Sequence, residues 1–127
     1  MEKLTEILVL AFLTITFLQS GIDKAIDWKG NLAFIKSHFA GTFLKNFVPP
    51  MLATVMLLEI VAGILSLAGI GQLMVSKSTS LGFYGASLSC IVLLMLLFGQ
   101  RIAKDYEGAK TIAIYFVSAI FAVFLLQ

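Results

Sequence analysis

Residues 49–73 read PPMLATVMLLEIVAGILSLAGIGQL, two prolines followed by a run in which Glu59 is the only charged residue. A helix needs about 20 apolar residues to cross the roughly 30 Å hydrocarbon core of a bilayer, and this run is long enough. Proline is accepted in the first turn of a helix, because that turn does not use the N–H that proline lacks. The stretch therefore predicts a membrane-spanning helix that begins at the prolines.

Three other apolar segments accompany this one, and the four predicted spans cover about residues 5–23, 50–73, 80–100 and 109–126. None alternates with a period of two, which excludes membrane strands. The 127-residue chain is 60% hydrophobic and 13% charged, whereas soluble domains are about half apolar and about one quarter charged. We predict an all-α fold, a polytopic membrane four-helix bundle in a lipid bilayer, with residues 1–127 forming one domain.

The link between the first and second spans carries apolar side chains at spacings of three and four, separated by lysines. The apolar positions are Trp28, Leu32, Ile35, Phe39 and Phe43, and the lysines are Lys29, Lys36 and Lys45. This pattern predicts an amphipathic interfacial helix between the two spans, with an ordinary structured loop as the alternative. His38, the only histidine, is expected at the surface rather than as a ligand.

The basic residues predict the orientation. An even number of spans leaves both termini on one side, with Lys3 and Lys77. The other side carries Lys24, Lys29, Lys36, Lys45, Arg101, Lys104 and Lys110. By the positive-inside rule, we expect the first and third links in the cytoplasm and both termini outside it, in the cell inner membrane. The first span is expected to be retained rather than cleaved as a signal peptide, because no small-x-small cleavage site follows it.

Glu59 is the candidate catalytic residue. It lies about 12 Å below the start of its span by helical rise, and ionisable residues at such depth usually serve function. An isolated carboxylate is costly in lipid, so we expect either a cation beside it, from Lys24 or Arg101, or a protonated side chain. The alternative is a purely structural glutamate that makes one interhelical hydrogen bond.

Polar side chains in the spans are expected to face the bundle interior, because lipid offers them no partner. Several of them lie in the same half of the membrane as the basic links. These candidate ligand-cavity residues are Gln19, Asp23, Lys24, Gln100, Arg101 and Tyr115. We expect them to converge with Glu59 on one cavity, over which the charged link 101–107 forms either a lid or a solvated turn.

Several kinds of chemistry are excluded by residue counts. The single cysteine, Cys90, permits neither an intramolecular disulfide nor dithiol redox chemistry, and is expected to be a packing residue. One histidine cannot form a bis-histidine haem site, and no metal site is indicated. A net charge of +2 gives no reason to expect a nucleic-acid partner. No motif for flavin, haem or iron–sulfur binding is present and no covalently bound cofactor is expected, so any redox activity requires a partner subunit.

Three stretches resemble the DoxX family of four-helix membrane proteins. Residues 17–24, FLQSGIDK, resemble the end of that family's first helix. A proline before the second span, followed by Glu59, Gly63 and Gly69, is similar to its second helix, and FGQR at 98–101 is similar to a DoxX-like branch. By this resemblance Gly21, Lys24 and Glu59 match recurring polar positions. The resemblance also implies a bacterial or archaeal protein associated with quinone-linked oxidoreductase assemblies.

Three functions are compatible with these features of the sequence. The first is a membrane subunit of an oxidoreductase assembly, in which Glu59 handles protons and Tyr115 or Gln19 hydrogen-bonds a bound quinone. The second is a membrane scaffold or anchor for a partner protein, without chemistry of its own. The third is a small proton-coupled solute transporter, which would need a homo-oligomer because four spans are few.

Overall fold

The computed structural model describes residues 3–127, and within that range the chain forms five α-helices, one short 3₁₀ turn and no strand. The helices are α1 (Leu4–Ile26), α2 (Trp28–His38), α3 (Val48–Ser76), α4 (Ser80–Ile102) and α5 (Tyr106–Leu126), and the 3₁₀ turn is Lys45–Phe47. The predicted all-α fold is confirmed.

Four of these helices, all except α2, are long and apolar enough to cross a membrane. Only 22% to 39% of the most apolar part of each is buried inside the bundle. Large apolar side chains therefore point outward, as Leu8, Ile114 and Phe124 do, with 59%, 60% and 68% of their surface exposed. Exposing such an apolar surface to water would be unfavourable, whereas the hydrocarbon core of a bilayer solvates it. The chain is a multi-pass membrane protein.

The four long helices pack in the order α1, α3, α4, α5, and α5 returns to α1 to close the bundle. Their core consists mainly of leucine, alanine and valine. Its fully buried members include Leu10, Leu13, Phe17, Ala62, Ala86, Val92, Leu93, Ala119 and Ala122. Short links join α3 to α4 and α4 to α5, so these consecutive spans are antiparallel neighbours, whereas the link from α1 to α3 is long and contains α2.

Helices α3 and α4 approach most closely near the end of the bundle that holds the termini. A Cβ atom on Gly69 would lie 2.5 Å from the Cα of Gly82, and one on Gly85 would lie 2.7 Å from the backbone nitrogen of Ser66. Only glycine permits such an approach, because any side chain would overlap the facing backbone. These glycines set the distance between the two helices.

The helix predicted in the first link is present as α2, and the chain after it turns back towards the bundle. α2 packs mainly on α3 and more weakly on α1. Phe39, just beyond its end, is buried, and its ring lies against Gly99 of α4. The first link therefore covers one end of the bundle, where α3 begins and α4 ends.

Candidate functional site

A buried ion pair joins α1 to α3. The Nζ atom of Lys24 lies 2.8 Å from Oε1 of Glu59, whose side chain is only 3% exposed. Among residues 3–127, no group donates a well-aligned hydrogen bond to this oxygen, so the ammonium holds it by charge. Of the two cations expected beside Glu59, the partner is Lys24.

Two glycines bring these charges together. A Cβ on Gly21 of α1 would lie 2.6 Å from a side-chain carbon of Ile60, and a Cβ on Gly63 of α3 would lie 3.0 Å from the backbone nitrogen of Leu18. Gly21 precedes Lys24 by one helical turn, and Gly63 follows Glu59 by one turn. The close contact of the two helices therefore lies at the level of the ion pair.

The Lys24 side chain extends into the bundle rather than towards the nearer membrane surface. Side chains on a helix lean towards its N-terminus, which for Lys24 means back over the preceding turn. Its ammonium accordingly donates a 2.7 Å hydrogen bond to Oγ of Ser20. A lysine near the end of a membrane helix usually extends outward to water, so this inward direction reflects the attraction of Glu59.

A cavity of about 520 Å³ lies beside the ion pair, beneath α2. Most of its wall is apolar, from α2, the 3₁₀ turn, the start of α3 and the end of α4. Its polar lining residues are Lys24, His38, Thr54, Gln100 and Asp105. Cavities of this volume, largely apolar with a few polar groups, are typical of small-molecule sites. Glu59 does not line the cavity, and Lys24 connects the two.

A contact between α2 and the third link forms part of the cavity wall. Nε2 of His38 lies 3.4 Å from Oδ2 of Asp105, and the His38 ring stacks on Phe34. The other oxygen of Asp105 accepts a 3.0 Å hydrogen bond from the backbone of Gly108 and so caps α5. One carboxylate therefore both begins α5 and contacts α2.

Gln100 extends its amide over the start of α5. A Cβ on Gly108 would lie 2.7 Å from Nε2 of Gln100, while Oε1 is fully buried without a hydrogen-bond partner in the described part of the chain. Such an acceptor costs free energy unless a donor reaches it. The region between α4 and α5 is therefore polar but incompletely paired.

The other residues expected at the cavity lie elsewhere. Gln19 and Asp23 are exposed on the outside of α1, because its buried face runs through Phe17, Gly21 and the turns before them. Each of the two is two residues from Gly21, or about 200° round the helix, and points away from the bundle. The expectation that they face the interior is not met.

Arg101 and Tyr115 are also away from the cavity wall. Arg101 is exposed, and its guanidinium lies 5.2 Å from the ring centroid of Tyr106. Tyr115 packs edge-to-face against Phe12 at 6.1 Å, in the contact between α5 and α1. Of the six residues expected to line a cavity, the structure places Lys24 and Gln100 in its wall.

Sequence reasoning missed His38 and Phe39 as parts of this region, and it included Asp105 only as a member of the link 101–107, for which a lid was one of two alternatives. Asp105 had a readable signal, since an aspartate three residues before Gly108 at the start of an apolar run is a helix N-cap pattern. His38 and Phe39 had none, because their role depends on how the first link folds over the bundle. His38, expected at the surface, is partly buried in the cavity wall.

The site as a whole combines an apolar cavity, the side-chain amide of Gln100 in its wall and a buried ion pair next to it. Lys24 belongs to both the cavity wall and the ion pair. Such a site can hold an apolar molecule and offer a proton donor or acceptor to its polar part. No protein-family model, curated protein or solved structure matches this chain. The resemblance to the DoxX family remains a prediction from the motifs at residues 17–24 and 98–101 and around Glu59.

Proposed function

We propose that this protein is the membrane subunit of an oxidoreductase assembly and that its cavity binds a quinone. Quinones are lipid-soluble rings with carbonyl oxygens, and they suit an apolar cavity that offers a hydrogen-bond donor. The volume of about 520 Å³ is in the range of small-molecule sites. The resemblance to the DoxX family points to the same class of assembly.

The observation that carries the proposal is the position of Lys24. This residue lines the cavity and also lies 2.8 Å from the carboxylate of Glu59. A quinone carbonyl at Lys24 would therefore be one side chain away from an internal carboxylate. Glu59, the proposed catalytic residue, would exchange protons with the bound ring through Lys24.

The electrons must come from outside this chain. Reduction of a quinone to a quinol takes up two electrons and two protons, and redox cofactors supply the electron transfer in enzymes of this type. The sequence carries no motif for a covalently bound cofactor. We propose that a partner subunit delivers the electrons and that this chain binds the quinone and moves protons.

Quinone titration of the purified protein tests the proposal, with the double variant Lys24→Met/Glu59→Gln as the decisive variant, because it removes the ammonium without leaving a buried unpaired carboxylate. Removing the ammonium should weaken quinone binding by about tenfold or more, since a lost hydrogen bond from a charged group costs about 1.5–3 kcal/mol. Asp23→Asn is the matched control, because Asp23 is the neighbouring residue but is exposed outside the cavity. Its affinity should equal that of the wild type.

Three results would count against this function. Failure of the wild-type protein to bind any quinone would remove its basis. A stoichiometric protein partner captured after mild solubilisation, together with no quinone binding, would instead favour the scaffold or anchor. Proton-coupled uptake of a solute into vesicles containing only this protein would favour the transporter.

We also propose a location and an orientation. Seven of the nine lysines and arginines lie in or beside the first and third links, and such residues accumulate on the cytoplasmic side. The bundle would then lie in the cell inner membrane with both termini outside the cytoplasm. The cavity would open near the cytoplasmic surface, where a soluble electron-transfer partner has access.

A further inference from the structure

Helices α3 and α4 are in close contact at one end of the bundle and separated at the other. At the termini end, Gly69 faces Gly82 and Ser66 faces Gly85 without room for an added Cβ. At the opposite end, Val55 of α3 and Leu96 of α4 are walls of the cavity. The two helices therefore form a wedge that widens towards the basic links.

The wide end of this wedge is not sealed on its outer side. Of the six exposed cavity-lining residues, Phe34 lies on α2. The other five lie along the α3 and α4 side, Phe47 in the 3₁₀ turn, Pro50 and Thr54 at the start of α3 and Met95 and Phe98 near the end of α4. None carries a charge. The hydroxyl of Thr54 is already bonded to the backbone oxygen of Pro50 at 2.8 Å. These five residues define an uncharged opening, here named the portal.

The portal faces the region that the spans place in lipid. Thr54, Met95 and Phe98 lie within the two helices that are apolar enough to cross the membrane. The ionisable lining residues of the cavity lie elsewhere, on α1, on α2 and in the third link, as Lys24, His38 and Asp105. The ionisable groups of the cavity therefore lie away from its uncharged mouth.

The geometry points to lateral entry from the bilayer, with a two-part ligand whose polar head lies in the cavity while its hydrocarbon chain passes out through the portal. This inference rests on the proposed function and adds that the quinone must carry an apolar chain. A chamber of about 520 Å³ holds a ring and the first part of a chain. The rest of the hydrocarbon chain then lies in the bilayer, an apolar environment in which it has no free-energy penalty for staying outside the cavity.

Tryptophan substitutions at the portal test this arrangement. Met95→Trp and Thr54→Trp each add bulk on one side of the opening. Leu94→Trp is the matched control, because Leu94 is half exposed on the same helix and does not line the cavity. Decylubiquinone and the same quinone ring without its decyl chain are titrated into each purified variant, and the thermal unfolding midpoint shows that each variant is folded.

Both portal variants should lose about tenfold or more in affinity for decylubiquinone, a loss of about 1.4 kcal/mol. Their affinity for the chainless ring should stay within about twofold, and the control should match the wild type for both ligands. Affinities are compared between variants for the same ligand, so the partition of that ligand into detergent is the same on both sides of the comparison. If the wild type binds decylubiquinone but not the chainless ring, the decyl chain is required for binding. The loss of decylubiquinone affinity in the portal variants, relative to the Leu94→Trp control, then tests the portal.

Three outcomes would overturn the inference, and they differ in meaning. Unchanged decylubiquinone binding in both folded portal variants would mean that the chain does not pass there. Equal losses for both ligands would mean that the substitutions distort the chamber rather than block the portal. If the wild type binds neither ligand, the proposed function fails as well, which the other two outcomes do not imply.

Discussion

Glu59 is a carboxylate on a membrane helix, and its depth and its partner have different origins. The sequence predicts the depth of Glu59 in the membrane, since this residue interrupts an apolar run that begins at two prolines. The sequence does not predict its partner, because Lys24 and Arg101 are both expected in the same half of the membrane as Glu59. Helix packing chooses Lys24, whose ammonium lies 2.8 Å from the carboxylate, while Arg101 is exposed beside Tyr106.

Breaking the Lys24–Glu59 pair should strongly destabilise the bundle. Glu59→Gln leaves the Lys24 ammonium, 18% exposed, without its counter-ion, and loss of one partner of a buried pair costs about 3–5 kcal/mol. The double variant Lys24→Met/Glu59→Gln removes both charges and should recover most of this loss. The free energy of unfolding in mixed detergent micelles measures both.

Glu107→Gln is the matched control, because its pair with Lys110 is long, at 3.9 Å, and almost fully exposed. We expect no measurable change in its unfolding free energy, since exposed ion pairs contribute little. A Glu59→Gln variant as stable as this control would show that the pair does not hold α1 against α3.

At the level of elements, the spacing between helices depends on a few small residues rather than on hydrophobicity. The sequence places small residues such as Gly63, Ser66, Gly82 and Ser89 in the second and third spans, and all four are buried. It did not reveal which glycine faces which helix. Gly69 and Gly71 are two residues apart, yet one is against Gly82 and the other has nothing within 4 Å.

Gly69→Ala should loosen the contact between α3 and α4. The new Cβ would lie 2.5 Å from Gly82, and relieving such overpacking typically costs about 1–3 kcal/mol. Gly71→Ala makes the same change on the open side of α3 and should be neutral or slightly stabilising. Unfolding free energies of the two variants measure the difference, and equal values would contradict the close approach of the backbones.

The packing of α2 against the rest of the bundle should depend on His38. It supplies the contact with Asp105 that joins α2 to the third link, at 3.4 Å, so His38→Ala should let α2 open more often. Hydrogen exchange of residues 28–38 should then be faster, while exchange in α4 stays unchanged. Ser37→Ala is the control, because Ser37 bonds only within its own helix; equal exchange in the two variants would show that the contact does not hold α2.

The Asp105 carboxylate has two roles, and a substitution at this residue can separate them. Its carboxylate caps α5 as well as contacting His38. Asp105→Asn should keep the cap, since asparagine is also a good N-cap residue, but weaken the contact with His38. We expect faster exchange in α2 and normal exchange at the start of α5, and faster exchange at α5 instead would assign Asp105 a capping role alone.

For the whole molecule, the bundle separates a termini end, where helices are in close contact, from a basic end, where a cavity opens. The first link and Asp105 cover the basic end, and Lys24 lies in its wall. A short α3–α4 link that contains Lys77 closes the opposite end. Orientation in the membrane therefore decides which compartment the cavity serves.

Reporter fusions should show which side the cavity faces. Alkaline phosphatase is active only outside the cytoplasm, so fusion after Gln127 should give high activity. A truncated fusion after Ala103, in the third link, should give low activity, because the positive-inside rule places that link in the cytoplasm. The reversed pattern would place the cavity on the outer side and would leave the fold unaffected.

The sequence by itself determined the number and class of the helices, because long apolar runs have only one low-cost conformation in lipid. It also determined the depth of Glu59 and the interior face of much of α3 and α4, where small residues recur at helical spacing. On α1 the same reasoning misplaced Gln19 and Asp23, since a stripe of polar residues near a helix end is solvated as easily as it is buried. The tertiary structure alone decided that Lys24 pairs with Glu59, that His38 contacts Asp105 and that a cavity lies between α3 and α4. These features depend on distances between helices, which the contacts of Gly21, Gly69 and Gly85 set at atomic scale and which no local pattern encodes.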